Sequence, residues 1–359
     1  MQTTPANLKR NPKILLLGYS GACNTGAEAL LLADIADLRA LLGEDATLVI
    51  PTINPANLRR YVPEAPNQQI VHMPTLFFGK LRRLVRECDL VMLVEGSTYM
   101  DTWSSVMLWA YLWTTECAHQ MGKPCLAYAV DAGALKPMNR RLVGRVASKT
   151  QRIITRAAAA AERLRAAGVT CPMETTADNA LTFATNPADE GLLAREWPAA
   201  GEHVVGIAAV NFYLWPVVMR PWGRREDCYK WPLYFSRSEE RTRNADTEAA
   251  ELARVADAIV EEQGKAVALI AMEALDERFA ERIHSKMRHP ERARVFSSRK
   301  YDSSQMTVLL RSLELLVTSR YHAAVLSLRA AVPQIGVGHD LRIKTLYGSV
   351  LAGGSDERD

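Results

Sequence analysis

The chain has 359 residues, 48% of them hydrophobic and 23% charged, with a formal net charge of +4. This is enough apolar material for two domains with full cores and excludes a disordered chain. Lys and Arg form no single dense run, which excludes a dedicated nucleic-acid binder and favours a small anionic ligand.

The cysteines, Cys23, Cys88, Cys117, Cys125, Cys171 and Cys228, lie far apart without zinc or redox spacing. No metal site is therefore expected, and a reducing compartment is. Residues 1–13 lack the apolar core of a secretory signal, and no apolar run reaches the roughly 20 residues of a membrane span. A cytoplasmic protein is expected. Contact with a membrane surface and self-association stay open.

In chain order, short apolar runs alternate with longer helical patterns, the signature of a parallel α/β architecture. Lys13 to Leu17 reads as the first strand. It enters a glycine loop, Gly18 to Glu28, and then a helix whose Leu31, Ile35, Leu38 and Leu42 share one face. Asn24 or Thr25 is positioned to cap that helix.

Further strands are predicted at Thr47–Ile53, Leu90–Val94, Cys125–Val130 and Arg152–Thr155. Helices are predicted near 79–88, 104–121, 137–149 and 157–167. Within the second of these, Leu108, Tyr111 and Leu112, with Trp109 and Trp113, read as core packing. A first domain spans residues 1–190, and the aperiodic stretch 191–203 reads as a linker.

The second domain, 204–352, opens with a strand at Val204–Val210. Residues 211–244 are too long and too rich in Trp, Tyr and Arg for an ordinary connection; Trp222 and Arg224 lie within them. This loop is either a lid stacking on a sugar, or a packing or dimer contact. After it come a helix over 246–262, a strand at Ala266–Met272, a helix near 275–287, a short strand near 294–296 and a helix over 303–311. A strand from Leu313, a helix at His322, a strand at Gln334–Val337 and a helix from Leu341 follow. Residues 353–359 read as a disordered tail. Two such domains are expected to face each other across a cleft lined by strand C-termini.

Two stretches carry candidate chemistry. Gly21 and Gly26 have P-loop spacing, but Ala27 and Glu28 stand where Lys and Ser/Thr are required, and the dinucleotide pattern is also absent. What is left is a turn feeding a helix N-terminus: either purely structural, or a backbone donor for an anion or substrate hydroxyl. The second stretch, Ser319 to Val325, follows a buried strand and starts a helix. It sets Arg320 and His322 beside amide groups that favour an anion. Glu95 and Asp101 could pair as acid and base. Glu273 sits at a strand end, Asp178 follows one, and His339 with Asp340 could form a pair.

Several segments together resemble the polysaccharide pyruvyl transferase family. They are Gly18 to Leu31, Arg156 before a helix ending Leu164-Arg165-Ala166-Ala167-Gly168-Val169, Thr176 to Ala180, and Ser319 to Val325 with Ala331-Val332-Pro333. The resemblance implies two Rossmann-like doubly wound domains arranged like GT-B glycosyltransferases. It implies transfer of a pyruvyl group from phosphoenolpyruvate, a co-substrate needing no further cofactor, to hydroxyls of a sugar or glycan precursor. It also assigns His322 as general acid/base and the arginines as anion ligands, with Lys344 as counterpart of a family lysine. The donor side is then Arg320, Lys344, Arg156 and Ser319. The acceptor side is Gly21, Asn24, Gly26, Glu28, Glu95, Asp101, Trp222 and Arg224.

The chain departs from the family at several points. Ala27 replaces the aspartate of an Asn-x-Gly-Asp-Glu pattern, and Arg156-Ala157 replaces Arg-Asp. Glu95-Gly96-Ser97 replaces a glycine run, and Gly133-Ala134 replaces Gly-Pro. An unusual acceptor is expected. A nucleotide-sugar glycosyltransferase and a non-catalytic binding relative remain the alternatives.

Overall fold

The computed structural model describes residues 11–214, 217–226, 229–338 and 341–353. Trp215, Cys228, His339, Asp340 and the tail beyond Gly353 lie outside the described residues, so the expected His339–Asp340 pair and the 354–359 tail do too.

The first half runs β1 (Lys13–Leu17), α1 (Thr25–Leu42), β2 (Thr47–Thr52), α2 (Pro55–Leu58), β3 (Gln68–His72), α3 (Phe78–Glu87) and β4 (Leu90–Leu93). It continues with α4 (Ser105–Gln120), β5 (Cys125–Val130), α5 (Pro137–Ala147), β6 (Arg152–Thr155), α6 (Ala158–Ala166) and β7 (Met173–Thr175). The strands form one parallel sheet ordered β3-β2-β1-β4-β5-β6-β7. Alternation along β1 sends Leu15 and Leu17 to a core shared with α3 to α6, and Ile14 and Leu16 to one shared with α1 and α2. Both sheet faces are therefore covered. That explains why these strands read as unbroken apolar runs.

The second half runs α7 (Leu192–Glu196), β8 (Val204–Ala208), β9 (Val217–Met219), β10 (Leu233–Phe235), α8 (Glu239–Gln263), β11 (Ala266–Ala271) and α9 (Glu277–Lys286). It ends with β12 (Ala293–Ser297), α10 (Ser303–Arg311), β13 (Leu315–Thr318), α11 (Tyr321–Leu328), β14 (Gln334–Gly336) and α12 (Leu341–Gly353). Five strands form a second parallel sheet ordered β12-β11-β8-β13-β14. Val205, Ile207, Val267 and Leu269 pack on Ala249, Ala253, Ala256 and Ile259 of α8 and on Phe279 and Ile283 of α9. The expected fold class, α/β with two Rossmann-like doubly wound domains, is the observed one.

The compact units are Met1–Ala22 with Leu30–Asn179 and Val218–Tyr234, and Cys23–Ala29 with Ala180–Val217 and Phe235–Asp359. This differs from the expected division. The 191–203 linker carries α7, and its buried Trp197 lies 6.2 Å from the Phe296 ring, so the segment is packed within the second unit. The 211–244 loop contains the β9–β10 hairpin, and α8 starts seven residues earlier than periodicity indicated. Ser238 caps α8 by accepting the Arg241 N–H, a signal that an apolar pattern does not register. Among the described residues no helix is long and apolar enough to cross a membrane.

Candidate functional site

In the second sheet β8 lies between β11 and β13, so the winding direction reverses there. The crevice beyond the strand C-termini at such a reversal is where open α/β sheets bind ligands. Ser319 closes it: its N–H donates to Ala208 O (3.0 Å), and its hydroxyl oxygen accepts the Val210 N–H (2.9 Å). Thr318 Oγ1 accepts the Arg320 N–H at 2.9 Å, fixing the turn into α11. The positive end of α11 is thereby presented at the strand end, with His322 in its first turn.

Arg320, expected to hold the donor anion, is already engaged. Its Nη2 donates to Asp276 and stands 3.2 Å from Glu273 Oε2, while Nε is buried with no hydrogen-bond partner among the described residues. Asp276 in turn accepts the Glu273 N–H at 3.1 Å. Burial would lower the Arg320 pKa, but Asp276 and Glu273 outweigh burial and raise it, so the guanidinium stays charged. Burial pushes the Asp276 carboxyl up, with Arg320 opposing.

The glycine loop residues Cys23–Ala29 belong to this same unit. Cys23 O accepts from Ala274 N (3.0 Å) and Ser298 Oγ (2.6 Å), Asn24 bridges Glu273, and Thr25 N donates to Met272 O (2.9 Å). Asn24 Oδ1 accepts the Ala27 N–H at 3.0 Å, so Asn24 is the cap of α1. Buried Glu28 accepts the Ser303 N–H at 3.1 Å at the start of α10. Gly26 lies directly against His322: a Cβ added there would overlap Nδ1 and Cγ of the imidazole and come within 2.7 Å of His322 Cβ. The Tyr321 ring also meets the imidazole edge-on, centroids 5.1 Å apart. Gly26 is thus required for close approach, the role left open between turn and binding loop.

The remaining candidates fall in the first unit, with the exception of Lys344, which lies exposed on α12 and makes no ion pair among the described residues. That unit reverses its winding between β1 and β4, and there Glu95 accepts N–H groups from Tyr19 and Ser97, both at 3.1 Å. Asp101 accepts from Asn139 Nδ2 (2.6 Å) and Lys136 N (3.1 Å). Each carboxylate thus has its own amide partners. Gly21 has φ +83 and packs on Asn54. Arg156 is buried between Asp131 (3.0 Å) and Asp178 (2.9 Å), which gives Asp178 an ion-pair role. Trp222 and Arg224 are exposed on the hairpin, beside Gly223, which packs on Tyr234.

Sequence reasoning missed Asp276, three residues after the flagged Glu273 and just before α9, where an acidic residue signals a helix start. It also missed Asp34. That carboxyl is buried in α1, accepts from Asn179 Nδ2 at 2.7 Å, and leaves Oδ2 without a partner among the described residues. Burial, then Asp37 and Asp178, push its pKa well up.

Comparison with known proteins fits this geometry. HepE from Anabaena, solved in complex with UDP, is 15% identical, with 91% of this chain and 83% of HepE covered and a TM-score of 0.52. UDP-GlcNAc 2-epimerase from Neisseria meningitidis, bound to UDP-GlcNAc, is 10% identical over 93% and 85% of the two chains (TM-score 0.59). The Methanocaldococcus jannaschii UDP-GlcNAc 2-epimerase is 12% identical over 93% and 86% (TM-score 0.57). At these identities the likeness is one of fold. No curated protein matches the chain. The polysaccharide pyruvyl transferase model matches residues 24–340, from the Asn24 cap to the segment beyond His322. The chain therefore belongs to the polysaccharide pyruvyl transferase family.

Proposed function

We propose that this transferase moves a pyruvyl group from phosphoenolpyruvate to hydroxyls of a sugar or glycan precursor, with His322 as acid/base. The supporting observation is the setting of His322: in the first turn of α11, at the winding reversal of its sheet, with its imidazole seated against Gly26. A cationic imidazole gives its proton to C3 of the enol, and the positive charge that develops at C2 is taken by the attacking hydroxyl oxygen. The neutral imidazole then accepts the hydroxyl proton. Phosphate leaves when a second hydroxyl, or elimination, completes the product. General acid catalysis of this kind contributes about 10²- to 10⁴-fold.

Arg320 serves the donor anion in competition with Glu273 and Asp276, which already share its guanidinium. Three anionic groups around one cation are unfavourable, so a bound donor drives Asp276 toward its neutral form, the direction burial already sets. Family membership favours phosphoenolpyruvate. The UDP bound to HepE and the UDP-GlcNAc bound to the Neisseria epimerase make a nucleotide-sugar donor the second reading. Thermal-shift titration separates them, since a ligand at a hundred times its Kd stabilises by about 2.7 kcal/mol. Phosphoenolpyruvate is expected to raise the Tm, and to do so at lower concentration in Asp276→Asn. A shift with nucleotide sugars alone would replace this reading by the second.

A further inference from the structure

One side of α4 carries the half-buried Trp109, Trp113 and Glu116 at i, i+4 and i+7, with the buried Leu112 beneath them. The opposite face, with Leu108, Tyr111 and Cys117, is spent on the core. The two tryptophans, read from sequence as core, pack against that core with one side and line a groove of about 850 Å³ between α3 and α5 with the other. Their polar edges are satisfied internally: Trp113 Nε1 donates to Phe78 O and Trp109 Nε1 to Asn139 Oδ1, both at 2.9 Å. Phe78 stands edge-on to Trp113 at 5.5 Å. Phe78 is 45% exposed, Met138 65%, and Leu76, just before α3, 63%.

Arg141, Arg145 and Lys149 line the groove, and the helices that bound it are basic. Helix α3 has Lys80, Arg82, Arg83 and Arg86 against only Glu87, and α5 has Arg140, Arg141 and Arg145 with no acidic residue. The whole chain has an excess of only four positive charges, so this one helical layer holds more than the net charge of the molecule. Glu116, the acid in the groove, is neutralised by Lys149 at 2.7 Å, while Arg141 and Arg145 make no ion pair among the described residues. Pairing with a second copy would bring these arginines together at an apolar seam, which disfavours a dimer.

We infer that the α3–α4–α5 face of the first unit docks on an anionic lipid surface, with Phe78, Met138 and the Trp109–Trp113 stripe entering the headgroup boundary. The arginines would extend along the apolar strip to reach lipid phosphates. Aromatic and apolar residues framed by Arg and Lys are the composition of an interfacial helix surface.

The test mixes the full chain with vesicles of phosphatidylcholine, or of phosphatidylcholine containing about one-third phosphatidylglycerol, and measures co-sedimentation. Quenching of tryptophan emission by bromine-labelled acyl chains is read in parallel. Partitioning should be about tenfold or more stronger on the anionic vesicles and should weaken with salt. Arg141→Glu with Arg145→Glu should reduce it about tenfold or more, and Phe78→Ser with Met138→Ser should remove the quenching. All four side chains are exposed, and unchanged thermal melts confirm folding of the variants. Equal partitioning on neutral and anionic vesicles, no binding, or a concentration-dependent dimer abolished by the arginine reversals would overturn the inference.

Discussion

Gly26→Ala isolates the contact on which the His322 assignment depends. Gly26 does not occupy the left-handed region, so alanine costs nothing in backbone strain and, on helix propensity alone, would favour α1 by about 0.5–1 kcal/mol. Against that gain, the new methyl would meet Nδ1, Cγ and Cβ of His322, atoms near the base of the side chain that a rotamer change clears poorly. Overpacking of this kind costs about 1–3 kcal/mol, leaving a net loss of up to about 2.5 kcal/mol. If the chain accommodates the methyl by moving the imidazole about 1 Å, turnover should fall on the order of 10²-fold. The assay combines urea unfolding with phosphate release from phosphoenolpyruvate, for each single variant and for Gly26→Ala with His322→Ala. Truncating His322 removes two of the three overlapping atoms, so the double variant should recover about 1 kcal/mol relative to additivity. Strict additivity with unchanged turnover of Gly26→Ala would refute the proposed seat.

Two further predictions concern the first unit. Arg156→Ala leaves the buried Asp131 and Asp178 without their shared cation and should cost about 3–5 kcal/mol in chemical denaturation; a loss below about 1 kcal/mol would show the pair to be dispensable. Asp34 has a folded-state pKa raised above its unfolded value, so on ionisation the unfolded chain gives up its proton first. Its contribution is therefore present at low pH and lost as pH rises from the ordinary aspartate range toward the raised value. Asp34→Asn, which keeps the acceptor for Asn179, should flatten that decline and be the more stable protein at neutral pH; identical pH slopes for the two would contradict it.

What was legible in the sequence is what lies within one contiguous segment. The strands of β1, β5 and β6 are apolar runs with clean ends, and their bounds were read correctly because sheets covered on both faces leave unbroken hydrophobic signatures. Gln68–His72 and Met173–Thr175 were missed; both are edge strands with few apolar residues, so composition marks neither. The turn Ser319–His322 could be read because strand end, arginine and histidine are adjacent. Its partners could not, because Glu273 and Asp276 reach Arg320 only once β11 and β13 flank β8, and Gly26 reaches His322 from near the other end of the chain. Arg156 shows the converse: a basic residue read as an anion ligand has its charge met by two aspartates that only folding brings to it.

The most direct measurement supplies the full chain with isotopically labelled phosphoenolpyruvate and a cell extract, and follows products by mass spectrometry. One product carrying the labelled pyruvyl carbons, formed with release of phosphate and absent for a folded His322→Gln protein, is the predicted result. The same labelled product at undiminished yield from His322→Gln, or no labelled product from the native chain, would contradict it.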